Sequence, residues 1–406
     1  MNNHWINYSF LVFTLLGGVS ITVVAQTRCA INLDSAETAA YRSWRATLQT
    51  VERINARTAI TIPVVVHVVY RTPEENISDA QIQSQIDALN RAYDNPANIP
   101  SGVPREFADR QAIPGIRFCL ASRDPDGQAS EGITRTETTL ENIGLIFGEG
   151  QRRSIHYDHL GGADAWDPAR YFNIWVGELG GLLGRATMPG TDFIPEEDGI
   201  IVAPEVFGTT GTVIYPFHQG KTAVHETGHY LGLSHLWGMV VGDCNEDDGL
   251  ADTPLQSGPY QGCPEYPQSS CGSSDLFMDY MDFSDDACLL LFTRDQVALM
   301  LSTLTQYRSG LLQSPLCTGD PSWTSTGQHA FVMYAPDRRQ LEINWQHPGE
   351  AVYDIRVWDV AGRLVVRQKG FGYTPWIVPV ANWVSGIYFV QIISSGNQIT
   401  QKVLIY

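Results

Sequence analysis

The chain has 406 residues, 43% apolar and 17% charged, with 26 Lys and Arg against 44 Asp and Glu for a net charge of −18. This length exceeds one ordinary domain and the apolar fraction supports real cores, which excludes general disorder. The negative charge opposes phosphate backbones and anionic lipid, so no nucleic-acid role is expected, and the acids either solvate the surface or gather hard cations.

Tyr8 to Ala25 carries no charge and ends in small residues that suit cleavage before Gln26, so residues 1–25 read as a secretory signal peptide. As a membrane anchor, about 18 apolar-leaning residues interrupted by glycines would be marginal. Export places the seven cysteines in an oxidising compartment, where an odd count leaves one unpaired. Cys29, directly after the signal peptide, is the expected odd thiol. Residues 26–57 read as a polar, helical propeptide with no strand pattern. Ile60 to Tyr70 (ITIPVVVHVVY) is a β-branched run fit for a strand buried on both faces. Ser78 caps a helix running to Tyr93, with Ile82, Ile86 and Leu89 on its apolar side. A helix after a buried strand argues for an α/β or α+β domain. His67 lies in that strand without a nearby acid or second histidine and reads as structural. Further strands are expected at Tyr171 to Val176 and Gly199 to Val202.

Thr222 to Trp237 reads TAVHETGHYLGLSHLW, an HExxHxxGxxH motif. Residues four apart on a helix share a face, so His225 and His229 can aim at one Zn2+. Gly232 permits a positive-φ turn that swings His235 round as third ligand. Three protein ligands leave a position for water, and Glu226, beside the first ligand, can serve as general base towards that zinc-bound water. The pattern predicts peptide hydrolysis without a covalent intermediate.

An acid cluster follows: Asp243, Glu246, Asp247, Asp248, Asp252, Thr253 and Pro254. Composition alone fits a Ca2+ loop or a solvated acidic loop equally well. Cys244, Cys263, Cys271 and Cys288 crowd the same loop-rich stretch, whereas Cys119 and Cys317 stand far apart. Residues 318–328 form a Thr, Ser, Gly and Pro linker. From 329 to 406, short β runs alternate with Gly or Pro turns, the pattern of a small all-β sandwich.

Residues 60–317 resemble the metzincin metallopeptidases, and within them the pappalysin family, through VVVHVVY, FCLASRDPDG, YFNIWVGELGG, the long zinc motif, GCP and MDFSDDACLLLFT. The resemblance implies a mixed sheet with the zinc-binding helix beneath it in residues 58–317, and places the methionine turn at Met281. Where the family usually carries Tyr two residues after this Met, an oxyanion donor, this chain has Phe283; either Tyr280 substitutes or the zinc alone polarises the carbonyl. Family likeness further implies Ca2+ bound by Asp248, Asp252 and Thr253, and disulfides Cys244–Cys271 and Cys263–Cys288, with Cys119–Cys317 the expected third pair. Cys29 resembles the propeptide cysteine with which some metzincins cap zinc to hold a latent precursor. A preference for a basic residue just after the scissile bond is implied as well, with Asp285 and Asp286 beside Ala287 near the receiving wall.

The last 80 or so residues, with YDIRVWDVAGRLVVRQ, GIYFVQI and a terminal QKVLIY, resemble the sorting domain of type IX secretion in Gram-negative bacteria. That implies the secretion machinery as a partner, and release or attachment at the cell surface; a carbohydrate- or matrix-binding β module is the alternative. The expected protein is a secreted zinc endopeptidase made as a zymogen and acting on protein substrates. The rivals are a non-catalytic adhesin on a peptidase scaffold and a zinc peptidase with a distant Glu in place of His235.

Overall fold

The computed structural model describes residues 27–29, 35–48, 60–94, 102–148, 152–191, 194–313, 316–317, 329–335, 339–346, 352–371, 376–394 and 397–405. The signal peptide and the 318–328 linker lie outside these residues. The chain divides into two units, Met1–Cys317 and Thr318–Tyr406.

In the first unit the elements run β1 (Thr27–Cys29), α1 (Ser35–Thr47), β2 (Ile60–Tyr70), α2 (Asp79–Tyr93), α3 (Arg105–Ala108), β3 (Gln111–Ala112), β4 (Ile116–Leu120), β5 (Ile133–Glu137), β6 (Phe172–Val176), β7 (Leu182–Ala186), β8 (Gly199–Val202), α4 (Lys221–Tyr230), β9 (Phe292–Thr293) and α5 (Arg294–Gln306). A seven-stranded mixed sheet orders them β1-β7-β8-β6-β2-β4, with β5 pairing the second half of β2. All these pairings are parallel except β7 with β8. The β2 side chains are buried on both faces because the sheet is covered, as its unbroken apolar run requires. His67 of β2 is held by Thr134 Oγ1 at 2.9 Å and Asn173 Oδ1 at 3.0 Å, a satisfied core histidine.

Helix α2 starts at Ser78, whose side chain accepts from the Gln81 amide, and buries Ile82, Ile86 and Leu89. The same helix supports α4: Tyr93 Oη donates to Val224 O at 2.9 Å and Gln85 Nε2 to Gly220 O at 3.0 Å. Buried Arg308, beyond α5, ties down the other end of α4. Its Nε donates to Tyr230 O at 3.0 Å, its guanidinium forks onto Asp198, and it lies 3.5 Å over the Tyr230 ring.

Three disulfides join Cys244 to Cys271 and Cys263 to Cys288, the pairs that the resemblance implied, and Cys119 to Cys317, the expected third pair. The region before the first long strand differs from its sequence reading. Besides helix α1 it contains β1, three residues that pair in parallel with β7 (Thr27 with Leu182, Cys29 with Gly184). An edge strand needs only main-chain groups to pair, so side-chain periodicity carried no sign of it.

The second unit is all β. Strands β10 (His329–Ala335), β11 (Gln340–Gln346) and β14 (Trp376–Pro379) form one antiparallel sheet, and β12 (Val352–Asp359), β13 (Leu364–Phe371), β15 (Gly386–Ser394) and β16 (Asn397–Ile405) another. Leu341 and Val378 of the first sheet share a core with Ile355, Val357 and Val390 of the second, so the two face each other as a sandwich.

Candidate metal centre

Helix α4 brings His225 and His229 onto one face, four residues apart. It ends at Tyr230, and Gly232 then takes φ +93°, with Leu233 N donating to Gly228 O at 2.9 Å. This left-handed turn is what glycine permits at a helix C-terminus, and it returns His235 to the two helical ligands. The Nε2 atoms converge: His229 Nε2 lies 3.0 Å from His225 Nε2 and 3.1 Å from His235 Nε2.

The outer ring nitrogens explain the orientation. Nδ1 of His225 donates to Tyr280 O at 2.8 Å, and Nδ1 of His229 to Leu233 O at 2.8 Å, which leaves Nε2 of each ring as the lone-pair donor. His235 is positioned differently, by aromatic packing. Trp237 stacks on it with centroids 4.5 Å apart and planes 12° apart, and Phe283 stands edge-on at 5.0 Å. Burial lowers all three imidazole pKa values, that of His229 to about 4, and for His225 and His235 the neighbouring rings add to the fall. Three buried neutral rings with lone pairs meeting at about 3 Å repel one another unless a cation sits between them. The donor set therefore fits a divalent metal, zinc among those that favour imidazole.

Glu226 is fully buried beside this centre, close against Gly184 of β7, where an added Cβ would meet its Cγ at 2.6 Å. Burial pushes its carboxyl up to about 8, against the Cys29 hydrogen bond and the charges of Arg185 and Arg28. Its Oε1 is buried without a hydrogen-bond partner among the described residues. Met281 forms the floor, its Sδ so close under Gly228 that a Cβ there would lie 2.5 Å away.

Cys29 reaches the same place from the N-terminal segment. Its Sγ donates to Glu226 Oε2 at 3.5 Å, and it forms with the three histidines a set whose ligand atoms all lie within 4.8 Å of one another. Arg28, the preceding residue, is buried against Asp286, Nη2 to Oδ1 at 2.6 Å, and also donates to Ser284 O. Asp286 Oδ2 accepts from the amides of Gln219 and Lys221 at 2.8 and 3.2 Å, so one carboxylate anchors both the α4 start and the Arg28 guanidinium. Ala287 is exposed and Asp285 half-buried beside it. Sequence reasoning missed the Arg28–Asp286 pair, although an Arg next to the odd cysteine was its one visible sign.

Two other expectations meet different geometry. The Tyr280 hydroxyl does not turn towards the histidines; it accepts from Lys221 Nζ at 3.3 Å, and the ring packs on Phe292. Tyr280 serves the site through its main-chain carbonyl instead. Of the acids expected to bind calcium, Asp248 and Thr253 meet, Thr253 Oγ1 donating to Asp248 Oδ1 at 2.6 Å. Asp248 Oδ2 is buried without a partner among the described residues, and burial pushes this carboxyl up to about 7. The two side-chain oxygens of Asp252 accept from Thr293 Oγ1 at 2.7 Å and the Asp295 amide at 2.9 Å, at the start of α5. A helix N-terminus favours a carboxylate, which accounts for these two hydrogen bonds.

Comparison with known proteins agrees with this geometry. A family model described as pregnancy-associated plasma protein-A matches residues 157–305, and one described as a secretion system C-terminal sorting domain matches residues 335–406. An extracellular metalloprotease of Arthroderma otae is 31% identical over 253 residues, covering 62% of this chain and 80% of that protein. Among solved structures, a mutant of Tannerella forsythia promirolysin is similar at a TM-score of 0.64 and 37% identity, over 70% of this chain and 97% of the other. Tannerella forsythia mature mirolysin in complex with a cleaved peptide has a TM-score of 0.58 at 41% identity, over 63% and 96%.

Proposed function

This chain belongs to the pappalysin family of metalloendopeptidases, and on that premise we propose that it is a zinc endopeptidase, exported as a latent precursor, with Glu226 as its general base. The observation that carries the reading is the convergence of three Nε2 atoms beside the buried Glu226 carboxylate. His225, His229 and His235 would hold the metal, and zinc, when bound, supplies Lewis-acid activation of water and of the scissile carbonyl. Glu226 then takes a proton at its carboxylate and returns it to the leaving amine. An adhesin on a peptidase scaffold has no use for an intact ligand set and base, so that reading is not favoured.

Latency rests on residues 26–57. Cys29 stands where it would complete a fourth ligand position, and a thiolate is a good zinc ligand. Strand β1 pairs with the edge of β7 and so blocks the strand-addition edge that a peptide would use. The promirolysin likeness, spanning 70% of this chain against 63% for mature mirolysin, supports a precursor arrangement.

Arg28 marks the substrate preference. Its guanidinium in contact with buried Asp286 is the side chain that a basic residue after the scissile bond would replace. Ca2+ would be held structurally by Asp248, Thr253 and loop carbonyls, since the unpartnered Asp248 oxygen is a ready donor. The C-terminal domain carries the protein through the type IX machinery of a Gram-negative cell, to release or surface attachment.

The test is cleavage of denatured casein by the mature protein, with the product termini read by mass spectrometry. Glu226→Ala should abolish cleavage while metal content is retained, and wild-type cuts should precede Arg or Lys. Casein left intact by the wild type would refute the reading.

A further inference from the structure

The three imidazoles are not held alike. His225 and His229 each rest the outer ring nitrogen on a main-chain carbonyl, the usual restraint on a metal-ligating histidine. His235 is buried, yet its Nδ1 has no hydrogen bond among the described residues; its one ring contact of that kind is Nε2 to Nε2 of His229. An aromatic frame takes the place of the acceptor. Trp237, itself buried, lies parallel to the imidazole with planes 12° apart, and Phe283 stands edge-on to both rings, 5.0 Å from His235 and 5.1 Å from Trp237.

The frame is built locally, by residues 235–238. Gly238 N donates to His235 O at 2.9 Å and closes a turn, and Gly238 takes a φ of +67° that favours glycine. A Cβ on Gly238 would stand 2.7 Å from Asp247 O, so the turn is bedded against the loop that follows it. This fold of the chain lays the Trp237 side chain over the ligand two residues before it.

Stacking fixes a ring in a different way from a hydrogen bond. Rotation of the imidazole about Cβ–Cγ breaks the parallel contact, so the plane is kept, whereas no acceptor sets the tautomer. Ligation also gives an imidazole a share of the metal's positive charge, and among aromatic side chains the indole face attracts such charge most strongly. The stack therefore gains strength when a metal is bound, as the outer-nitrogen hydrogen bonds of the other two rings do.

We propose that Trp237 is the positioning residue of the third metal ligand: its indole face does for His235 what the carbonyls of Tyr280 and Leu233 do for His225 and His229, and it thereby sets how tightly the site retains its metal. This rests on the reading of the three histidines as zinc ligands. A tryptophan that merely filled the core could be replaced by any apolar side chain that restores the packing; a positioning indole requires an aromatic face.

Zinc affinity is measured by competition with a chromophoric chelator, on mature protein carrying Glu226→Ala, which cannot digest itself. It should fall about ten-fold or more in Trp237→Leu and Trp237→Met, and stay within about three-fold of the parent in Trp237→Phe. Chemical unfolding of the metal-free forms, run alongside, separates this split from lost stability, since all three variants give up part of the same packing. Co2+ in place of zinc supplies the spectroscopic counterpart: the visible bands of the parent should persist in Trp237→Phe and change in Trp237→Leu, where His235 no longer holds its place. Affinities alike in the Phe, Leu and Met variants, or falling in step with the stability of the metal-free protein, overturn the proposal and leave the zinc reading standing. A parent that binds no zinc overturns both. If the aliphatic variants do not fold, nitrogen NMR of the metal-free parent decides. His225 and His229 should each show one tautomer with the proton on Nδ1, and His235 a mixture of two; a single fixed tautomer at His235 would mean that something other than the indole holds it, and overturns the proposal.

Discussion

Cys29 Sγ lies 3.5 Å from Glu226 Oε2 and within 4.8 Å of the three imidazole donors, so one thiol covers both the metal position and the base. A ligand in that place competes with water and with substrate. The Cys29→Ala precursor should therefore cleave casein at least about ten-fold faster than the intact parent precursor, since removing a blocking ligand restores the competent fraction. A variant precursor as silent as the parent would count against the cap and leave β1 alone to account for latency.

Phe283 stands edge-on to His235 at 5.0 Å, packs on Trp237 at 5.1 Å and lies 5.6 Å from His225. With the Tyr280 hydroxyl committed to Lys221, no tyrosine near the Met turn donates into the centre among the described residues. Phe283→Tyr keeps the packing and adds a hydroxyl. Its kcat/KM on a peptide substrate should equal or exceed the parent value, with a gain of up to about 10^2 if the hydroxyl reaches the developing oxyanion. A clear fall in kcat would contradict this view of the site.

The contrast between these residues shows what a sequence can reveal. His225, Glu226, His229, Gly232 and His235 were legible because one helix and its exit turn set their geometry, and the spacing of a single segment encodes it. Likewise the apolar run of β2 announced a doubly buried strand, and the isolated His67 its structural role. Arg28 and Asp286 are 258 positions apart, and nothing local to either couples them. Strand β1 exists because β7 offers an edge. Asp252 shares its loop with Asp248, yet its carboxylate also bonds the start of α5, a link that composition cannot display. The stacking of Trp237 on His235 follows from a turn whose course no periodicity predicts.

Calcium should matter to stability rather than to chemistry. Asp248 and Thr253 share a hydrogen bond while the second Asp248 oxygen is buried without a partner among the described residues, so removing a cation there exposes an uncompensated carboxylate. Chelation with EDTA should inactivate the enzyme, and Zn2+ should restore activity only when Ca2+ is also supplied. The Tm should rise with Ca2+, by several degrees at saturating concentration, and Asp248→Asn should blunt that rise. Thermal stability indifferent to Ca2+ in the wild type would remove the site.

Arg308 offers a test of how the metal-binding helix is held. Its guanidinium is buried, paired with Asp198 and bonded to Tyr230 O at the end of α4. Arg308→Leu leaves Asp198 as an unpaired buried charge and should cost about 3–5 kcal/mol in chemical unfolding of the catalytic unit. A loss under about 1 kcal/mol would mean that the pair contributes little beyond its own desolvation.

The metal content of purified mature protein is the most direct measure of the whole account. Elemental analysis should find one zinc per chain in the wild type and in Glu226→Ala, and a sharp loss in His235→Ala, whose place in the triad only the Gly232 turn provides. Full zinc occupancy without His235, or peptide cleavage by a wild-type protein that carries no metal, would contradict it.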